Sequence, residues 1–136
     1  MNIDSTRMLM THGFLARVFE VFARYQKSVD VIATSEVSIS LTVDNPDHLT
    51  SVAAELKEVA DVEITAHKAI FCVVGENLKT SKGILGRVFA TLDRHDIRVS
   101  MVSLGASEIN VTFVVDEENV VSTARALHNE FFSKQR

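Results

Sequence analysis

The chain has 136 residues, 46% of them apolar and only one a proline, so it can bury a core as one domain or as two small modules. Its formal net charge of -4 argues against a nucleic-acid partner, because that affinity comes from clustered Lys and Arg. The longest apolar runs, such as residues 69–74, have strand length and are far short of the roughly 20 residues that span a bilayer, so we expect no membrane contact.

Cysteine usage and the first residues bear on location. Cys72 is the single cysteine and can form no internal disulfide, and no basic-then-apolar leader opens the sequence. We therefore expect a cytoplasmic protein. Because Cys72 lies inside an apolar run, it is predicted to be a small buried core residue.

Hydrophobic periodicity divides the first half of the chain into six elements. In chain order they are a strand at residues 2–7, an amphipathic helix after Gly13, strands at 29–32 and 37–43, a helix at 49–59 and a strand at 62–64. The apolar residues of the third strand alternate strictly with Ser and Thr, which indicates a strand with one buried face.

The second half repeats the first. Residues 13–19 (GFLARVF) recur as residues 83–89 (GILGRVF), with five of the seven positions identical. The same shift of 70 pairs Asp30 with Ser100, and a shift of 72 further along pairs Asp44 with Asp116. The predicted elements of this copy are strands at 69–74, 99–104 and 109–115 and helices at 83–95 and 118–132. The copy stops after its second helix.

A βαββαβ unit folds as an antiparallel four-stranded sheet with both helices on one face, which is the ferredoxin-like arrangement. The predicted fold class is therefore α+β. We expect two such modules, residues 1–67 and 68–136, with the last strand of the second module absent from this chain.

Several stretches carry a family resemblance. Residues 5–9, 13–19 and 29–42 resemble the first ACT domain of lysine-sensitive aspartate kinases, and residues 105–111 and 126–128 resemble the second. In that family a kinase domain precedes tandem ACT modules, and a strand ahead of the first module completes the sheet of the second. None of the five glycines forms a nucleotide-binding pattern, so we expect a regulatory fragment without catalytic residues, not an enzyme by itself.

A free amino acid presents a carboxylate and an ammonium on one carbon. The helix start at Gly13, Phe14 and Leu15 offers unpaired N–H groups and the positive end of the helix dipole, which favour a carboxylate. Asp30 is expected at the adjoining position, where it would accept the ammonium in a charge-assisted hydrogen bond. In the second copy Ser100 replaces this aspartate, so that copy is expected to bind weakly and to serve packing and dimerisation.

The resemblance implies a larger set of effector contacts, made partly by main chain and partly across a dimer interface. These positions are Met8, Thr11, Gly13, Phe14, Leu15, Ser28, Val29, Asp30, Thr34, Ser35 and Glu36. Glu36 is the candidate for a second ammonium, and two carboxylates around one ligand would prefer lysine to threonine. The implied partners are L-lysine, a second copy of the chain and the kinase domain of the same parent chain, with feedback inhibition of aspartate phosphorylation as the function.

Other interpretations remain open at this point. The pairs at residues 35–36 and 107–108 could cap loops, and Asp30 could be a surface acid at a helix end. The five histidines do not fall at metal spacing, and with one cysteine we expect no metal and no cofactor. The alternative functions are a sensor of threonine or another amino acid, a dimerisation module without a ligand, and a small acylphosphatase-like enzyme.

Overall fold

The computed structural model of the protein describes residues 1–6, 12–75, 83–104 and 110–133. The chain divides into two compact units, unit 1 at Met1–Ala66 and unit 2 at His67–Arg136. Within the described ranges, no helix has the length and apolar character needed to cross a membrane. The predicted contacts Met8 and Thr11 lie outside the described residues.

Unit 1 is a complete βαββαβ module. Its elements are β1 (Asn2–Asp4), α1 (Phe14–Arg24), β2 (Ile32–Thr34), β3 (Ser38–Leu41), α2 (Leu49–Leu56) and β4 (Asp61–Glu63). The sheet order is β2-β3-β1-β4, and every neighbouring pair is antiparallel. This confirms the predicted ferredoxin-like fold class for the first half of the chain.

The core of unit 1 follows from helical and strand periodicity. Along α1 the buried residues recur every three or four positions, so they form one stripe that faces the sheet: Phe14, Val18, Val21 and Phe22. Ile39 and Leu41 point from β3 to the same core, because alternate residues of a strand share a face. Burial of these side chains drives the folding of unit 1.

The described residues of unit 2 have the same order of elements as unit 1 but one strand fewer. Its elements are β5 (Lys68–Val74), α3 (Ile84–Arg94), β6 (Val99–Ser103), β7 (Asn110–Asp116), a short 3₁₀ turn (Glu117–Asn119) and α4 (Val120–Phe132). The sheet order is β5-β7-β6 and both pairs are antiparallel. By comparison with unit 1, the missing strand would lie beside β5. An apolar groove of about 480 Å³ lies there, between β5 and α4.

Cys72 is exposed, so the prediction of a buried core residue is wrong. In β5 the residues Phe71 and Val73 pack toward the helices, and Cys72 between them points to the uncovered face of the sheet. An apolar run alone cannot show which of its residues face the core, because the sheet of unit 2 has helices on one face only.

Several predicted boundaries differ from the observed ones. The strand predicted at 29–32 lies instead at Ile32–Thr34, because the N–H of Val31 donates to the Thr42 hydroxyl at 3.1 Å instead of joining a regular ladder. The helix predicted to reach residue 59 ends at Leu56, after which the N–H of Val59 donates to the Leu56 carbonyl in a tighter turn. Neither shift changes the order of the elements.

Candidate functional site

The first turn of α1 presents backbone N–H groups without a side-chain cap. Gly13 precedes the helix in the left-handed region, with φ of 81°, and among the described residues the helix start has no side-chain cap hydrogen bond. A Cβ built on Gly13 would meet none of the described residues within 4 Å. This geometry suits an anion, because orphan amides and the helix dipole act together there.

The side chains of this first turn differ in their availability. Phe14 is only 5% exposed and belongs to the core of unit 1, so it can offer a ligand only its backbone. Leu15 is 41% exposed and can make apolar contact.

The last residue of β2 and the turn after it carry three of the predicted contacts, Thr34, Ser35 and Glu36, all exposed. The Ser35 hydroxyl lies 2.7 Å from the Ser38 hydroxyl and accepts the Ser38 N–H at 3.2 Å. Ser35 therefore holds the turn, as its loop-capping interpretation predicts. In the described part of the chain, Glu36 has no hydrogen-bond or ion-pair partner.

The β2–β3 turn and the start of α1 lie at the same end of unit 1. Strands β1 and β2 both run antiparallel to β3, so they end on the same side. Ser5, just beyond β1, donates its backbone N–H to the Val37 carbonyl in the turn at 2.8 Å. A helix that returns across the sheet begins where the preceding strand ends. We call this side the glycine end; it contains Gly13, Phe14, Leu15, Thr34, Ser35 and Glu36.

Asp30 lies at the other end of unit 1. Its backbone N–H donates to the Thr42 carbonyl at 3.0 Å, ahead of β2 and beyond β3. Lys27 Nζ donates to the Asn45 carbonyl at 2.7 Å, which ties the residues after α1 to those after β3. We call this side the aspartate end; it contains Ser28, Val29, Asp30 and Asp44. The 11 residues of α1 separate the two ends by about 16 Å, at about 1.5 Å per residue.

The expectation that Asp30 adjoins the Gly13 amides within one module is therefore wrong. A strand that follows a helix through a short connection starts near the end of that helix, not near its beginning. Asp30 comes before β2 and so lies at the C-terminal end of α1, whereas Glu36 comes after β2 and lies at the N-terminal end. A single copy of unit 1 cannot bring all the predicted contacts around one amino acid.

Electrostatics at the aspartate end favour an added cation. Although the Asp30 side chain is mostly exposed, its remaining burial raises the pKa of the carboxyl, and the negative charge of Asp44 raises this pKa further. Among the described residues, neither carboxylate has an ion pair. A ligand ammonium beside Asp30 would relieve this repulsion. Asp44 was not among the predicted contacts, although the internal repeat, which pairs it with Asp116, could have drawn attention to it.

Ser28 is exposed, and Val29 is half-buried and packs on the core of unit 1, so Val29 can contribute mainly its backbone. In the ranges the structure describes, no group of three or more His, Cys, Asp or Glu side chains could hold a metal ion. The chemistry of the two ends differs: the backbone amides of the glycine end suit a carboxylate, and the Asp30 carboxylate of the aspartate end suits an ammonium.

Two successive units of this fold define a tandem ferredoxin-like module, and the comparisons with known proteins assign it to a family. The ACT domain family matches residues 2–57 and 71–131, and the chain belongs to this family. It is 43% identical over 142 residues to "Aspartokinase 1, chloroplastic" from Arabidopsis thaliana and 34% identical over 139 residues to "Aspartokinase" from Saccharomyces cerevisiae. The two matches include 97% and 98% of this chain, but only 25% and 26% of the length of the two relatives.

Solved structures lead to the same assignment. A C-terminal regulatory domain of aspartate kinase from Porphyromonas gingivalis is 34% identical, with a TM-score of 0.83, and the match covers 96% of this chain and 88% of that one. Aspartokinase III from E. coli, in complex with lysine and aspartate, is 37% identical with a TM-score of 0.81; the match covers 96% of this chain and 30% of that one. The chain thus corresponds to the ACT regulatory region of aspartate kinases and spans about a quarter of the length of the curated relatives named above.

Proposed function

We propose that the chain is the sensor of an aspartate kinase in which L-lysine binds between two copies of unit 1 and lowers the activity of the attached kinase. The observation that carries this proposal is the division of the predicted contacts between two opposite ends. Each end holds half of what a zwitterion needs. The glycine end offers amides for a carboxylate, and the aspartate end offers Asp30 for an ammonium.

A two-fold pair of subunits would solve the geometry. In an isologous contact the same surface is used twice, so the glycine end of one copy can face the aspartate end of its partner. Two equivalent sites then form per dimer, each with residues from both copies. This also explains why neither end has an internal partner for its charged groups in the described part of the chain.

Lysine is favoured over threonine by the number of carboxylates. A site that joins Asp30 of one copy to Glu36 of the other would hold two negative charges, and lysine carries two ammonium groups. Threonine would leave one carboxylate unpaired, which is costly once the interface excludes water. The E. coli relative solved with lysine supports this choice. A threonine sensor and a ligand-free dimerisation module are the competing functions.

Lysine binding would regulate the kinase through thermodynamic linkage between the effector site and the arrangement of the subunits. If lysine binds better to the inhibited arrangement of the subunits, its occupancy shifts the attached kinase by a coupling of about 1–3 kcal/mol. The kinase domain of the parent chain and a second copy of this chain are the partners in this proposal. The cytoplasm is the proposed location, although the Arabidopsis relatives are chloroplastic by name.

The choice of effector can be tested by melting the protein with each of the twenty amino acids. Stabilisation by lysine alone supports the lysine sensor, stabilisation by threonine or another amino acid identifies a different sensor, and stabilisation by none supports the dimerisation module. Turnover of an acyl phosphate would point to the enzyme alternative.

The shared site can be tested by mixing two defective variants. Asp30→Asn removes the aspartate end and Glu36→Gln weakens the glycine end, so each variant alone should bind lysine poorly. After unfolding and refolding together, half of the dimers are mixed, and each mixed dimer has one intact site. The mixture should therefore regain about a quarter of the wild-type sites. If both ends act within one chain, the mixture regains none, and the two-copy site is wrong.

A further inference from the structure

The two units differ in what occupies their aspartate ends. The repeat places Ser100 at the position of Asp30 and Asp116 at the position of Asp44. The register supports this equivalence, because Val99 pairs with Val115 beside them, at the start of β6 and near the end of β7. At the other end, Gly83 precedes α3 with φ of 88°, just as Gly13 precedes α1 with φ of 81°. The units therefore share the glycine before the first helix but differ in the residue at the ammonium position.

In unit 2 this position already holds an ammonium group from the chain itself. Lys68, the first residue of β5, pairs with Asp116 across the β5–β7 ladder. Its Nζ lies 2.5 Å from Oδ1 of Asp116 and donates to the Ser100 hydroxyl at 2.9 Å. The Lys68 and Asp116 side chains are 26% and 38% exposed, so the pair is partly shielded from water.

Unit 1 has no such occupant in its described residues. Neither Asp30 nor Asp44 makes an ion pair there, and the nearby Lys27 Nζ donates to the Asn45 carbonyl instead. Partial burial, and in second place the negative charge of Asp44, raise the pKa of the Asp30 carboxyl.

We propose that Lys68 is a built-in occupant of the ammonium position of unit 2 and restricts amino-acid binding to unit 1. An incoming ammonium would meet a neutral hydroxyl, a carboxylate already paired and a cation that repels it. This inference rests on the proposed function, because it takes the aspartate end as the ammonium position. Its consequence is one effector molecule per chain, although the sequence contains two copies of the module.

The experiment counts lysine sites by calorimetric titration. The wild-type protein is compared with Lys68→Met/Ser100→Asp, which removes the occupant and restores the carboxylate, and with Lys57→Met, which removes an exposed lysine of unit 1 as a control. We expect one site per chain in the wild type and in the control, and two in the double variant. The number of sites that the double variant gains tests the inference, and the number in the wild type tests the proposed function.

The two failures are therefore distinguishable. One site in both the wild type and the double variant overturns the role of Lys68 but leaves the proposed function intact. No site in the wild type overturns the proposed function; a site gained by the double variant would still support the role of Lys68, and no gain would overturn it.

A second measurement covers the case in which the double variant does not fold. Lys68→Ala leaves space beside Ser100 and Asp116, so ethylammonium chloride should raise its melting temperature more than sodium chloride at the same concentration. The wild type should respond equally to both salts. Equal responses in the variant as well would overturn the inference.

Discussion

Replacement of Asp30 by Asn should abolish most lysine binding without weakening the fold. The variant would lack the charge-assisted hydrogen bond that the ligand ammonium donates to the Asp30 carboxylate, which contributes about 1.5–3 kcal/mol. This corresponds to about a 10- to 150-fold increase in Kd. At a lysine concentration of about 100 times the wild-type Kd, the wild type gains about 2.7 kcal/mol of stability, whereas a variant weakened about 50-fold gains about 0.65 kcal/mol.

The stability of the protein without lysine should change little in Asp30→Asn. Burial and the charge of Asp44 raise the Asp30 pKa in the folded state, so the folded chain binds this proton more tightly than the unfolded chain does. Protonation of Asp30 therefore stabilises the folded state at a pH below the pKa of the unfolded chain, and this stabilisation is lost as the pH rises through the pKa of the folded chain. At pH 7 the ionised carboxylate is therefore slightly unfavourable to the fold, and Asp30→Asn should keep or slightly raise the melting temperature.

Calorimetry with lysine and thermal melting without it measure the two effects. Asp93→Asn, an exposed aspartate on α3 of unit 2, is the matched control and should bind lysine like the wild type. Lysine affinity in Asp30→Asn that equals the wild-type value would refute the role of Asp30. A large fall in the unliganded melting temperature would instead show that Asp30 acts on stability.

Three further predictions concern the scaffold. Gly13→Ala should lower the free energy of unfolding, measured in urea, by about 1–2 kcal/mol, because the left-handed φ of this residue is strained for any residue with a Cβ. Gly86→Ala is the control: Gly86 lies inside α3, where a Cβ would meet nothing within 4 Å of the described structure, so this change should raise the free energy of unfolding by about 0.5–1 kcal/mol. Glu130→Gln should lower the melting temperature at pH 7, and the difference should vanish as the pH falls through the Glu130 pKa, which two arginine partners hold below its usual range. Phe113→Ala should cost about 3–5 kcal/mol in urea unfolding, because this ring is fully buried against two others; a loss below about 1 kcal/mol would contradict that packing.

Much of the fold could be predicted from the sequence, because the features that specify it are local. The apolar stripe after Gly13 has the period of a helix, and the alternation through Ile39 and Leu41 has the period of a strand. The internal repeat then transfers the same order of elements to the second half. Boundaries were less predictable, since the ends of β2 and α2 depend on hydrogen bonds such as that from Val31 to the Thr42 hydroxyl.

The sequence by itself determined the two-module architecture, the glycine that opens each first helix and the chemical types of the candidate contacts. The tertiary structure alone decided which of them meet. Spacing along the chain shows that Asp30 follows α1, but the direction of β2 places it at the opposite end from Gly13. Strand pairing likewise joins Lys68 to Asp116, although 48 residues separate them, and exposes Cys72 on an uncovered sheet face. The physical reason is that periodicity records which face of an element a residue occupies, whereas neighbours across elements depend on how strands pair and helices return.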